Sequence, residues 1–158
     1  MPLLQFHVLE GRSDQELAAL LDATHRVVLD VFHVPERDRY QIVHEHKPSH
    51  VRFEDTGLGI KRSDKFVLVQ ISTQRHPVEQ KTAFYDKLCA ELDRACGIKP
   101  TDVMVSIVEN TLADWSFGLG RAQFLTGELQ GALKDAAPAP RQPKQAAKPA
   151  GASLGRSA

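Results

Sequence analysis

Residues 65–108 read KFVLVQISTQRHPVEQKTAFYDKLCAELDRACGIKPTDVMVSIV. Lys65 to Ser72 is rich in β-branched and aromatic side chains and predicts a strand. Pro77 suits the first position of a helix, where its missing N–H is no loss. Phe84, Leu88, Leu92 and Cys96 then recur every fourth residue, an apolar stripe along one helix face. Gly97 ends that helix and Pro100 follows it. Val103 to Val108 predicts a further strand, so the stretch is one β-α-β unit.

The same series stands upstream. Residues 2–8, PLLQFHV, form an apolar-rich strand. Ser13 and Glu16 make an S-x-x-E capping box that opens a helix. Leu17, Leu20, Leu21, Thr24, Val28 and Val31 lie on one face of it. Pro35 marks the exit, and Arg39 to His44 predicts a strand. A shift of 65 residues overlays Leu3 on Leu68, Gln15 on Gln80, Pro35 on Pro100, Ile42 on Ile107 and Val43 on Val108. These identities fall at equivalent points of both units and indicate an internal duplication. The expected class is α+β, a β-α-β-β-α-β domain whose four-stranded sheet carries both helices on one face. The strands look apolar on both sides, notably Phe66-Val67-Leu68-Val69, so oligomerisation is the expected cover for the other face.

The chain divides near Asp135, giving a folded domain over 1–135 and a tail over 136–158. The tail is rich in Ala and Pro, has no aromatic residue, and carries Arg141, Lys144, Lys148 and Arg156 without an acid. Such a segment cannot bury enough apolar surface to offset its ordering entropy, so a solvated, flexible tail is expected. Over the whole chain 20 basic and 20 acidic side chains cancel. No global field therefore favours nucleic acid, and no apolar run reaches membrane-span length. The N-terminus lacks the pattern of a secretory signal, so the cytoplasm is the expected location.

Several motifs have plain structural readings. Cys89 and Cys96 on one helix sit roughly 10 Å apart at 1.5 Å per residue, beyond disulfide reach, and read as small core residues. His44, His46 and His50 could be imagined around a metal, but no carboxylate or thiol spacing completes a known pattern, and polar strand-end residues are expected instead. Gly57-Leu58-Gly59 and Gly118-Leu119-Gly120 lack a third glycine and read as turns. Neither a metal nor a cofactor is expected.

Pro2 is the first candidate for chemistry. Removal of Met1 from a chain with a small second residue would leave a free secondary amine. An α-amino group titrates near 7.7–8.0, the lowest of the unperturbed amines, and burial or nearby cations lower it further. Such a nitrogen takes a proton from carbon beside a carbonyl and returns it when charged. Proline at position two is common, however, and alone signifies nothing.

The surroundings give it meaning. MPLLQFHVLEGRSDQELAALLD, VPERDRYQIVHEHKP, DTGLGIKRSDK and ENTLADWSFGLGRAQFLTGEL resemble the malonate semialdehyde decarboxylase branch of the tautomerase superfamily, over about residues 2–133. The resemblance implies a trimer of β-α-β-β-α-β subunits with an amino-terminal proline in a pocket near the subunit boundary. Pro2 matches the catalytic proline. Asp38 matches a carboxylate assigned to water activation or substrate orientation, although by itself it would read as a loop or salt-bridge residue. Trp115, Phe117, Phe124 and Leu129 match the pocket's apolar wall, and read without the resemblance they are ordinary core.

One segment departs from that branch. The family carries two arginines at the positions of Gln74 and His76, which hold the substrate's carboxylate or carbonyl. This chain has a single arginine displaced to Arg75, and on a strand a one-residue displacement points to the other face. Either Arg75 reaches the pocket through a local shift, or Gln74 and His76 hold the anion with some other cation. Decarboxylation depends on a cation beside the carbonyl oxygen, whereas keto–enol tautomerisation needs one proton carrier and a few polar groups. The expected function is therefore cofactor-free tautomerisation of a small anionic 2-oxo acid or enol by a homotrimer. In it Pro2, Asp38 and Arg75 are catalytic, and Gln74, His76, Trp115, Phe117, Phe124 and Leu129 bind substrate. Decarboxylase or hydratase action on a three-carbon acid is the first alternative, and a non-catalytic ligand-binding trimer the second.

Overall fold

The computed structural model describes residues 2–129 of the chain; the expected tail lies outside them. Six main elements follow in order: β1 (Leu3–Leu9), α1 (Asp14–Phe32), β2 (Tyr40–His46), β3 (Val67–Gln74), α2 (Val78–Cys96) and β4 (Val103–Asn110). Strand order is β2-β1-β3-β4. β1 runs parallel to β2, β3 parallel to β4, and β1 antiparallel to β3. Two β-α-β units thus stand back to back, as an internal repeat requires.

Local chemistry sets the helix ends. At α1 the Glu16 amide donates to Ser13 Oγ at 3.3 Å while the Ser13 amide donates to a Glu16 carboxylate oxygen at 2.8 Å, a closed capping box. Replacing Ser13 by Ala should cost about 1 kcal/mol, the usual worth of an N-cap side chain, read as a lower midpoint with unchanged slope in urea. α2 begins one residue later than expected, with Pro77 as its cap in extended geometry (φ −56°, ψ 151°). It ends at Gly97, whose left-handed φ of 62° suits a residue without Cβ.

Both helices cover one face of the sheet. Leu4, Phe6 and Val8 of β1 and Val67, Val69 and Ile71 of β3 meet Leu20, Val27, Val28 and Val31 of α1 and Phe84, Leu88 and Leu92 of α2 in one core. Cys89 and Cys96 are half-buried free thiols. The other face is not uniformly apolar, in contrast to the expectation from Phe66-Val67-Leu68-Val69. Phe66 precedes the strand and stacks on Phe53 at 3.8 Å between centroids, and β3 runs to Gln74 instead of Ser72. The open face has a polar middle, with Gln5, His7, Gln70 and Ser72 on the central strands. Apolar flanks surround it: Ile42 is 45% exposed on β2 and Val108 56% exposed on β4. No helix among the described residues is long and apolar enough to cross a membrane.

Candidate active site

Topology gathers the candidate residues at one end of the sheet. β1 and β2 start there, while β3 and β4, running the other way from β1, finish there. Pro2, buried just before β1, thus lies between the approach to β2 and the exit of β3, with the exit of β4 one strand further away. The register pairs Leu3 with Ser72 and with Tyr40. One step further along, Thr73 and Arg39 flank Pro2. Arg39 is engaged elsewhere, on Asp22 at 2.6 Å and Gln41 at 2.7 Å.

Asp38 sits in the turn leading into β2, where its amide donates to the Pro35 carbonyl at 2.9 Å. It is only 7% exposed. Burial raises its pKa above the ordinary aspartate value, opposed by the positive amino terminus of the chain and by His25. His25 is itself held in place by donating from Nε2 to the Glu36 carbonyl at 3.1 Å.

His76, 8% exposed, closes the other side. Its ring lies 4.3 Å from that of Phe32 at the end of α1. Its Nε2 is 3.1 Å from Thr73 Oγ1 and its Nδ1 3.1 Å from Gln80 Oε1. Gln80 Nε2 in turn donates to the Val31 carbonyl at 3.3 Å. Burial lowers the His76 pKa; Gln80 and Glu109 counter this, whereas the amino terminus and Lys81 reinforce it. The amino terminus of the chain thus acts electrostatically on both Asp38 and His76.

The remaining candidates fall in two places. Gln74 is half-buried and pairs with Asn110 across the open side of the strands, and Arg75 is exposed. Trp115 donates from Nε1 to Asn110 Oδ1 at 2.9 Å, and its ring stacks on Phe117 at 5.6 Å. Phe117 reaches Tyr40 at 5.9 Å and meets Phe124 edge-on at 5.5 Å. Gln123 pins this segment by accepting from the Phe117 amide at 2.9 Å and donating to the Gly118 carbonyl at 2.7 Å. Leu129 is half-buried behind it. The segment therefore reaches from the end of β4 to the start of β2, on the open-face side, whereas Pro2, Thr73 and His76 lie toward the helices. Within one chain the aromatic wall and the Pro2 cluster share an end of the sheet but not a face.

Thr73, Gln80 and Phe32 were not singled out from sequence. The T-x-x-H-x-x-x-Q spacing was the available signal, and it reads as ordinary polar residues until the strand-to-helix corner folds it together. The other histidines form a separate group. His7 lies between His44 and His46, with stacked rings at 4.8 and 5.2 Å, and bonds to His46 at 2.9 Å and Gln70 at 3.1 Å. His50 lies in a separate turn. Among the described residues no set of three or more His, Cys, Asp or Glu side chains is arranged to hold a metal. A cleft of about 610 Å³ bordered by Leu9, Arg12, Glu16, Lys65 and Cys96 lies at the opposite end of the sheet, and none of the Pro2 cluster lines it.

The duplicated β-α-β domain, with a buried proline at the head of a central strand, is matched in its fold by known proteins. A family model described as tautomerase enzyme matches residues 38–118, and another of the same description matches residues 2–61. The probable tautomerase YrdN of Bacillus subtilis (strain 168) is 54% identical over 129 residues, which span 82% of this chain and 100% of that protein. Crystal structures of malonate semialdehyde decarboxylase in wild-type, mutant and inactivated forms are similar at 50% identity and TM-score 0.78, over 80% of this chain and 98% of that one. A malonate semialdehyde decarboxylase inhibited by 3-bromopropiolate is similar at 38% identity and TM-score 0.77, over 80% and 97%. The chain belongs to the tautomerase family, in the branch that resembles malonate semialdehyde decarboxylase.

Proposed function

We propose that this protein is a cofactor-independent tautomerase that interconverts keto and enol forms of a small anionic 2-oxo acid, with the amine of Pro2, freed by loss of Met1, as proton carrier. The observation that carries this reading is the burial of Pro2 at the head of β1, at the end of the sheet that also holds the buried side chains of Asp38 and His76. A neutral nitrogen there takes a proton from the carbon beside the substrate carbonyl, and the C–H electron pair becomes the C=C bond of the enolate. The C=O pair moves to oxygen, which takes a proton from the resulting ammonium, directly or through a water molecule, to give the enol. In the reverse direction the amine regains that proton from the enol oxygen and delivers it to carbon. Asp38 orients the substrate or a water molecule. Gln74 binds its polar end and Arg75 supplies the positive charge for its carboxylate. His76, with both ring nitrogens engaged by Thr73 and Gln80, acts through those partners. Trp115, Phe117, Phe124 and Leu129 exclude water. The half-apolar open face and the separation of the aromatic wall from Pro2 favour a homotrimer in which neighbouring subunits complete the site and cover the sheet.

A second reading, loss of CO₂ from malonate semialdehyde, is favoured by the 50% identity to an enzyme of that name. Against it, the chain offers one arginine, Arg75, where the resemblance implies two, and burial holds the His76 ring toward its neutral form. Native mass spectrometry followed by two assays decides. The expected result is three chains per particle, each lacking Met1, with turnover of phenylpyruvate enol and slow or no release of acetaldehyde from malonate semialdehyde. Chains that retain Met1 yet turn over phenylpyruvate would overturn the proline reading, and faster decarboxylation would reverse the order of the two functions.

A further inference from the structure

The hydrogen-bond chain from Thr73 to Val31 ends on a backbone carbonyl, which fixes the direction of each proton along it. A carbonyl only accepts, so Gln80 must present its Nε2 to Val31 and its Oε1 to His76. His76 then carries its hydrogen on Nδ1 and leaves a lone pair on Nε2. That lone pair takes the hydroxyl hydrogen of Thr73, 3.1 Å away and fully buried. Thr73 Oγ1 is left with lone pairs alone to offer to anything else beside it. The register of β1 and β3, continued one residue past Leu3 and Ser72, sets Pro2 opposite Thr73 on the same face, at the roughly 5 Å Cα spacing of antiparallel partners.

We propose that Thr73, oriented by His76 and Gln80, is the positioning residue that accepts a hydrogen bond from the protonated amine of Pro2. This rests on Pro2 having a free amine, as the tautomerase reading requires. The relay holds the ammonium in the place from which it returns the proton. Together with the carboxylate of Asp38, which attracts the amino terminus, it favours the charged form of an amine that burial would otherwise discharge. His76 is the hinge of the arrangement. Facing it are the Phe32 ring from α1, Gln80 and Lys81 from α2, Glu109 from β4 and the amino terminus ahead of β1. Glu109 accepts the His76 amide and is ion-paired to Lys81, so its charge is already matched. If His76 gained a second proton on Nε2, the Thr73 hydroxyl hydrogen would have to turn away from it, toward Pro2. The relay would then oppose the ammonium it otherwise holds.

The test reads the Pro2 nitrogen directly, by titrating protein labelled with ¹⁵N-proline, because a free terminal proline is the one proline nitrogen that ionises. Thr73→Val keeps the shape and removes the acceptor, and should lower the Pro2 midpoint by about one pH unit, a tenfold change in acidity. Thr73→Ser should restore it. Gln80→Glu accepts from His76 Nδ1 while favouring the imidazolium, and should also lower the midpoint, with the His76 titration moving up. The acid limb of kcat/KM for phenylpyruvate should move with the midpoint in each variant. A Pro2 midpoint unchanged in Thr73→Val overturns the proposal, even if Gln80→Glu shifts it, since the shift would then be the imidazolium's charge acting alone. Should Thr73→Val not fold, an unchanged midpoint in Gln80→Glu overturns it equally. The readout needs no catalysis, so a failed tautomerase reading would show separately, as Pro2→Ala retaining turnover.

Discussion

Pro2→Ala is expected to lower kcat/KM for phenylpyruvate tautomerisation by about 10²- to 10³-fold, within the range ascribed to a positioned acid–base group. The variant still carries an α-amine, so basicity alone is not what is lost. The pyrrolidine ring ties the nitrogen to its own side chain and so aims the lone pair, whereas a primary amine on alanine turns freely and spends little of its time aligned with the substrate C–H bond. A companion variant separates geometry from basicity: one residue that is not cleaved, added ahead of Pro2, makes its nitrogen a tertiary amide with no basic lone pair. That form should fall to the solution rate, below Pro2→Ala. Steady-state assays on samples whose intact mass has been checked give both numbers. Equal activity in all three proteins would mean that the amine carries no proton in the reaction.

How far the sequence foretold this arrangement depends on whether the governing interaction was local. The capping box at Ser13 and Glu16, the stop at Gly97 and the helical stripe through Phe84, Leu88 and Leu92 involve residues a few positions apart, and the structure has each of them. The boundary of β3 was misread by two residues because the apolar run begins at Phe66. In the fold that ring leaves the strand to stack on Phe53, a partner that no periodicity reports. Thr73 lies past the end of the strand expected over 65–72, and is a fully buried strand residue facing the helices. Likewise the run at 66–69 predicts an apolar open face. Its polar middle comes from alternate residues of two different strands, Gln5 and His7 with Gln70 and Ser72, which only the β1–β3 register brings together. Pro2 and Asp38 were legible through resemblance, since nothing in a lone proline or a lone aspartate announces a site. Their convergence follows from strand direction, which pattern reading leaves open.

Asp38→Asn is expected to make the protein more stable near neutral pH and about 10²-fold less active. Burial raises the Asp38 pKa, outweighing the opposing pull of the amino terminus and His25. An unfolded aspartate ionises near 3.9, so folding favours the protonated form of this carboxyl. The stability it contributes is fully present below that ordinary value and is lost as pH rises through the raised native one. At neutral pH the native state therefore holds a carboxylate that burial disfavours. An asparagine of the same shape has no charge to desolvate, so the variant's melting temperature should exceed the wild type's at pH 8. The two proteins should converge as pH falls to 4, where the wild-type side chain is increasingly protonated. Activity should move the opposite way, because a neutral amide neither activates water nor attracts the cationic amine. Thermal melts of both proteins at pH 4, 6 and 8, beside phenylpyruvate turnover at pH 8, make the comparison. An Asp38→Asn variant less stable than wild type at pH 8 would mean that attraction to the terminal ammonium outweighs burial, and Asp38 would then be a structural counter-ion for the amino terminus. Greater stability joined to lost turnover would identify Asp38 as a carboxylate kept in the fold, against its own desolvation, for the reaction.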